Sequence, residues 1–266
     1  MLKMPSYVRS DDGTRLAVWR EGSGPPLVAV HGTTADHTRW THVVSHLTPR
    51  FTVYLMDRRG RGHSGDAASY SLQREAEDIR AVVRQAGENV TLLGHSYGGL
   101  CCVEAARELP ELLRLILYEP PLPVGSLLLP HAVREELTRL VSIGDREGAL
   151  LHFFRQVVGM SEGELQALKA HPVWPARLAA AHTIAREADE EERYGVDLTR
   201  LQALTVPTLL LLGGDSPAAF AEATACFSAS IPNSRVRELV GQRHIAMDTA
   251  PQQFVDAIIS FALGEP

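Results

Sequence analysis

Cysteine is scarce: three in 266 residues, with two of them adjacent at Cys101 and Cys102. Neighbouring cysteines rarely bridge and an odd count leaves one over, which excludes a disulfide framework and points to a reducing compartment. Apolar runs are short. None reaches the roughly 18 residues of a membrane-spanning helix, and residues 1–13 carry no apolar signal core. A cytoplasmic protein without membrane association is expected. Basic clusters are lacking too. Arg58, Arg59 and Arg61 form one short run among glycines and the formal net charge is −6, so no nucleic-acid partner is expected. Internal repeats and low-complexity tracts are absent. What remains is an ordinary globular composition, 45% hydrophobic, 22% charged and 6% aromatic, which excludes disorder over most of the length. A chain of this size buries about three quarters of its unfolded surface and needs no metal or disulfide staple. The length suits one large α/β domain, or one domain carrying an insertion.

Short apolar runs alternate with amphipathic segments, as in a largely parallel sheet with helices on both faces. Strands are predicted at residues 14–20, 27–30, 51–56, 90–93, 113–118, 208–212 and 235–240. Ser71 opens a helix whose apolar positions Leu72, Ala76, Ile79, Val82, Val83 and Ala86 share one face, and Gly87 stops it. Further helices are predicted at residues 100–109, 217–230 and 251–263. One stretch breaks the alternation. Residues 131–141 and 146–158 are amphipathic, Ser161-Glu162-Gly163-Glu164 is a capping box, and Pro172 and Pro175 bracket the start of a fourth helix ending near Glu191. Residues 122–197 therefore read as a helical lid inserted into a core made of residues 1–121 and 198–266.

Gly94-His95-Ser96-Tyr97-Gly98 fits the pattern G-x-S-x-G, directly after a predicted strand and directly before a predicted helix. So tight a turn leaves no room for side chains at the glycines. It forces Ser96 into strained backbone angles and holds its hydroxyl out as a nucleophile. The helix N-terminus aims amide groups at the same spot, which suits a developing oxyanion. In this setting the chain resembles the α/β-hydrolase fold superfamily, of the small, lid-bearing serine-hydrolase kind. The resemblance runs over essentially the whole length: His31-Gly32 after an early strand, the glycine-rich loop 57–64, the elbow, the helical insertion, and Gly241-Gln242-Arg243-His244 after the last strand. It implies an α/β-hydrolase fold, with a mostly parallel sheet of the eight-stranded type flanked by helices and a lid after the sixth strand. It also implies structural places for His31 and His95.

A serine hydroxyl needs a base. His244 is the best candidate, because it follows the last strand at the carboxyl edge of the sheet and comes last in the order serine, acid, histidine. The acid has two candidates. Asp215 follows the strand 208–212, but one place early for the commonest family pattern, and Ser216-Pro217 beside it reads as a helix cap. Glu119 ends the strand 113–118 in apolar surroundings, where an unpaired carboxylate is costly. Pro120 predicts an extended backbone at Glu119. The segment Leu117-Tyr118-Glu119-Pro120 resembles the zearalenone-type lactonases, and Glu119 is preferred. The alternative role for Glu119 is anchoring lid amides. Amides of Tyr97 and Thr33 are the expected oxyanion donors. Thr34, Phe153, Val157 and Trp174 are candidate pocket residues. His42 and His46 share a helix-like spacing without an accompanying carboxylate motif, Asp57 and its glycines read as a rigid turn, and Cys101 and Cys102 as core. The expected activity is hydrolysis of a small carboxylic ester or lactone, with no cofactor and no metal. Two alternatives stay open: other carbonyl chemistry on the same triad (thioester, carbon–carbon bond or perhydrolysis), and a hydrolase-like small-molecule receptor. Substrate and oligomeric state are open, a homodimer included.

Overall fold

The computed structural model describes residues 4–124, 129–194 and 198–264. Among these, eight strands form one sheet: β1 (Ser6–Arg9), β2 (Arg15–Glu21), β3 (Pro26–Val30), β4 (Thr52–Met56), β5 (Val90–His95), β6 (Leu112–Tyr118), β7 (Thr208–Gly213) and β8 (Ser234–Leu239). Their spatial order is β1-β2-β4-β3-β5-β6-β7-β8. The β1–β2 and β2–β4 pairs are antiparallel and all others parallel. The helices in the first part of the chain are α1 (Thr41–Leu47), α2 (Leu72–Ala86) and α3 (Tyr97–Ala106). Between β6 and β7 lie α4 (His131–Ser142), α5 (Arg146–Gln156), α6 (Glu162–Ala170), α7 (Trp174–Ala180), α8 (Ile184–Tyr194) and α9 (Leu198–Gln202). α10 (Ala218–Ser230), α11 (Ala246–Thr249) and α12 (Pro251–Leu263) complete the chain. No helix among the described residues is long and apolar enough to cross a membrane.

The central strands explain themselves. A strand covered on both faces must be apolar at successive positions, and β5 is buried at every one. Alternate side chains then feed two cores. Leu92, Leu115 and Leu117 pack with Ile79 of α2 and Leu100 of α3. Leu93, Ile116 and Leu211 pack with Val43 of α1 and Phe254 of α12 on the other face. Each fully buried side chain of this size contributes about 1.5–3 kcal/mol. The ends of α2 follow from its sequence: the Ser71 hydroxyl accepts from the Arg74 amide at 3.2 Å, and Gly87 leaves the helix at φ +109°.

The helices after β6 build a core of their own from Leu137, Leu150, Phe154, Leu165, Trp174 and Ile184. A buried ion-pair network joins them to the sheet domain. Glu187 of α8 accepts from Arg58 Nη2 at 2.7 Å and also from Arg61. Glu75 of α2 accepts from Arg58 at 2.7 and 3.1 Å and from Arg61 at 3.1 Å. Burial opposes the Arg58 charge, but Glu75 and Glu187 outweigh it and hold its pKa well above the ordinary value. The short basic run is therefore internal wiring.

One turn further along α8, burial and then the Glu187 charge push the Glu191 carboxyl up to about 7 from its ordinary 4.5. A carboxyl raised on folding penalises the folded state once it is ionised. The penalty is fully present above pH 7 and fades as pH falls toward 4.5. Glu191→Gln is expected to stabilise the protein at pH 8 and to change little near pH 5. Urea midpoints of the two proteins at both pH values check this; an equal difference at both would refute it.

Several local expectations need correction. β1, α1 and a 3-10 turn at His37–Trp40 lie where no element is predicted. In α1 only Val43 and Leu47 are buried, too few apolar positions for a periodic signal. The fourth lid helix is α7, a 3-10 turn (Ala181–Thr183) and α8, and helical structure continues past residue 197 into α9. Ser216 does not cap α10: Pro217 occupies the cap position and the Ser216 hydroxyl is buried without a partner.

Candidate active site

Ser96 stands between β5 and α3 at φ +54° and ψ −133°. A non-glycine residue there stores about 1–3 kcal/mol of strain and persists only if its surroundings enforce it. They do so by close approach. A Cβ at Gly98 would fall 2.2 Å from the His31 carbonyl oxygen, and one at Gly32 would fall 2.8 Å from Ser96 Cβ. The elbow and the loop after β3 thus interlock through glycines. Cys101 and Cys102 are buried behind it.

The surrounding histidines are fixed by their partners. His31 Nε2 accepts from the Arg58 amide at 3.0 Å, while Nδ1 lies 2.9 Å from the Gly32 carbonyl, the arrangement of a neutral ring donating from Nδ1. Burial, then the Arg58 charge, hold its pKa well below the usual value. His95 Nε2 donates to the His244 carbonyl at 2.9 Å, and its pKa is lowered by burial and then by His244. Both hold loops in place. Asp57 likewise accepts from the amides of His37 and His63 at 2.7 and 2.8 Å and from the His37 ring at 2.8 Å, which makes it the clasp of a turn. His42 and His46 are exposed on α1.

His244 lies past β8, and its ring stacks on Phe220 at 4.4 Å between centroids. The Tyr118 hydroxyl pins the loop on both sides, donating to the Arg243 carbonyl and accepting from the Ala246 amide at 3.2 Å. His244 Nδ1 lies 2.5 Å from Glu119 Oε2. Glu119 is fully buried and its Oε1 accepts from the Gly213 amide at 2.7 Å. Both carboxylate oxygens are engaged, so the imidazole keeps its proton on Nδ1 and offers Nε2 to the other side. The backbone at Glu119 is not extended but turns at φ +46°. That turn swings the carboxylate under the imidazole, and the amide it steadies belongs to the end of β7 and not to the lid. Asp215 is exposed, with its amide on the Gln242 carbonyl at 2.9 Å, and makes no hydrogen bond or ion pair with His244. Being one place early, it falls on the outer side of the turn.

Ser96 and His244 border one cavity of about 610 Å³, together with Gly32, Thr33 and Thr34. The Ser96 hydroxyl has no hydrogen-bond partner among the described residues, so the serine–imidazole bond is unmade. Such bonds often lengthen in ligand-free sites and close with substrate. Tyr97 is the first residue of α3, with its amide at the helix N-terminus, and Thr33 lies on the facing loop. The Thr34 hydroxyl accepts from Arg177 Nη1 at 3.0 Å.

Of the expected lid residues, Phe153 lines this cavity. Val157 instead borders a separate cleft of about 20 Å³, and Trp174 is buried in the core that the helices after β6 share. Apolar periodicity marks what packs, and it cannot tell a core position from a cavity wall. Phe154 and Met160, apolar residues of the same helical stretch, line the cavity as well; unforeseen neighbours are Leu168, Arg39 and Arg177. Nothing in the local sequence around either arginine marks it as facing inward.

A family model described as the alpha/beta hydrolase family matches residues 27–257. The chain belongs to this family. An alpha/beta hydrolase of Sphaerobacter thermophilus is 32% identical with a TM-score of 0.86, over 96% of this chain and 99% of that one. The alpha/beta hydrolase described here is also 28% identical, over 92% of its length and 98% of the other, to a pimeloyl-[acyl-carrier protein] methyl ester esterase of Aeromonas hydrophila. A probable oxidoreductase EphD of Mycobacterium tuberculosis matches at 37% identity, but only over 105 residues, 18% of that protein's length.

Proposed function

We propose that this hydrolase cleaves a carboxylic ester or lactone through an acyl-enzyme on Ser96. The carrying observation is the imidazole of His244, held by Glu119 at 2.5 Å through Nδ1 and bordering the same cavity as the elbow serine. In this reading Ser96 Oγ attacks the carbonyl carbon as its proton passes to His244 Nε2. Glu119 stays ionised and steadies the imidazolium. The amides of Tyr97 and Thr33 hold the oxyanion, each worth about 3 kcal/mol in the transition state. The imidazolium then protonates the leaving alcohol oxygen as the carbon–oxygen bond breaks. Water, deprotonated by the same Nε2, releases the acid and restores Ser96. No cofactor enters the cycle. The helices α4 to α8 serve as the lid that shapes the cavity, and the likeness to the Aeromonas methyl ester esterase supports an ester substrate.

The test is covalent. A fluorophosphonate should label the folded protein once, at Ser96, and label the Ser96→Ala protein not at all. Folded wild-type protein that resists labelling would instead be the hydrolase-like receptor.

A further inference from the structure

Two guanidinium groups border the cavity beside Ser96 and have no part in acyl transfer. Arg39, from the 3-10 turn, is paired with Asp248 of α11, and its side chain is 10% exposed. Its Nε is buried without a partner. Arg177, from α7, is the less compensated. It donates from Nη1 to Thr34 Oγ1 at 3.0 Å and lies 5.2 Å from the Phe154 ring centroid. Its Nε is also buried without a partner, and no carboxylate among the described residues pairs with it. Burial lowers Arg39 to about 9, helped by the Arg177 charge, and burial lowers Arg177 to about 10.

Other carboxylates border the cavity, and each is committed elsewhere. Asp36 accepts from the Thr38 amide at 2.8 Å and from its hydroxyl, and its charge partly offsets burial at Arg177 without pairing with it. Asp248 is paired with Arg39. Glu164 accepts from the Ser161 amide and hydroxyl at 2.6 and 2.7 Å, with Arg243 at 4.0 Å. What remains is Nη2 of Arg177, a charged donor suited to a carboxylate oxygen.

We infer that Arg177, backed by Arg39, is a carboxylate-binding subsite, and that the ester cleaved here carries a free carboxylate close to its scissile carbonyl. The closeness follows from Thr34, which touches Arg177 and directly follows Thr33, whose amide faces the developing oxyanion in the proposed reaction. The Thr34 side chain and its 3.0 Å contact with Arg177 set the anion several bonds from the reacting carbon, as in half-esters of dicarboxylic acids. The substrate assignment rests on the acyl-transfer reading; the subsite does not.

The test compares monomethyl succinate and monomethyl glutarate with their dimethyl esters, and acetoxyacetate with its methyl ester, to separate an acyl-side from an alcohol-side carboxylate. Wild-type protein is expected to favour the anionic member of one pair by about 30-fold in kcat/KM, a charged hydrogen bond's worth of selectivity. Arg177→Met should erase that ratio, mainly through KM, and Arg177→Lys should recover part of it. Free glutarate should raise the melting temperature of wild-type and Arg177→Lys proteins but not of Arg177→Met. Equal turnover of charged and neutral esters with no glutarate effect would overturn the subsite and leave acyl transfer standing. No turnover of any ester, with a glutarate shift that depends on Arg177, would support the subsite and remove acyl transfer. A preference or shift surviving in Arg177→Met would overturn the assignment to Arg177.

Discussion

Replacing Ser96 by alanine is expected to lower kcat on a short p-nitrophenyl ester by roughly 10⁵–10⁶-fold, the scale on which acyl-transfer triads fail when the nucleophile is lost. The fold should not suffer. The hydroxyl has no hydrogen-bond partner among the described residues, so its removal orphans nothing. Alanine meets the same strain as serine at φ +54°, which makes a second variant informative. Ser96→Gly tolerates a positive φ without a steric penalty and should raise stability by about 1 kcal/mol while staying inactive. Strain held at a reacting residue and relieved by an inactivating change is a stability–function trade-off. The measurements are initial rates and urea midpoints for the three proteins. Turnover within tenfold of wild type in Ser96→Ala would remove the nucleophile from this position.

Much of this architecture is readable in the amino-acid order, and the reasons are local. Val90 to Leu93 is almost wholly apolar because a strand covered on both faces needs it, and Gly94 and Gly98 after it answer to backbone atoms closer than 3 Å. Ser71 and Gly87 bound α2 because helix ends must satisfy or escape their free amides and carbonyls. The cavity is different. Phe153 borders it and a second cleft, Val157, four residues on, borders the second cleft alone, and Trp174 is inside the core of the helices after β6. All three look alike in sequence, since what separates them is how α5 and α7 rotate against their neighbours. Arg39 and Arg177 are 138 positions apart and meet only through folding. The turn at Glu119 was equally hidden: a residue before proline ordinarily extends, and here the pull of His244 and Gly213 on one carboxylate prevails.

That carboxylate supplies the other large effect. Glu119→Gln keeps the shape of the side chain, and its amide oxygen can still accept from Gly213 as Glu119 does at 2.7 Å. The amide nitrogen would then face His244 Nδ1, where Glu119 Oε2 now stands at 2.5 Å. A donor in that place requires an unprotonated Nδ1 and moves the imidazole proton to Nε2, the nitrogen that accepts from Ser96 in the proposed reaction. Geometry survives and the wrong tautomer results, a change worth about 10⁴-fold in kcat where a triad acid has been replaced by its amide. Asp215→Asn alters an exposed side chain on the outer face of its turn and should leave kcat within about threefold, as surface changes away from a site generally do. Steady-state kinetics of both variants beside wild type, with circular dichroism to verify folding, decide the matter. If Asp215→Asn is the crippled protein and Glu119→Gln is active, the buried pair with His244 is a structural clasp and the acid belongs after β7.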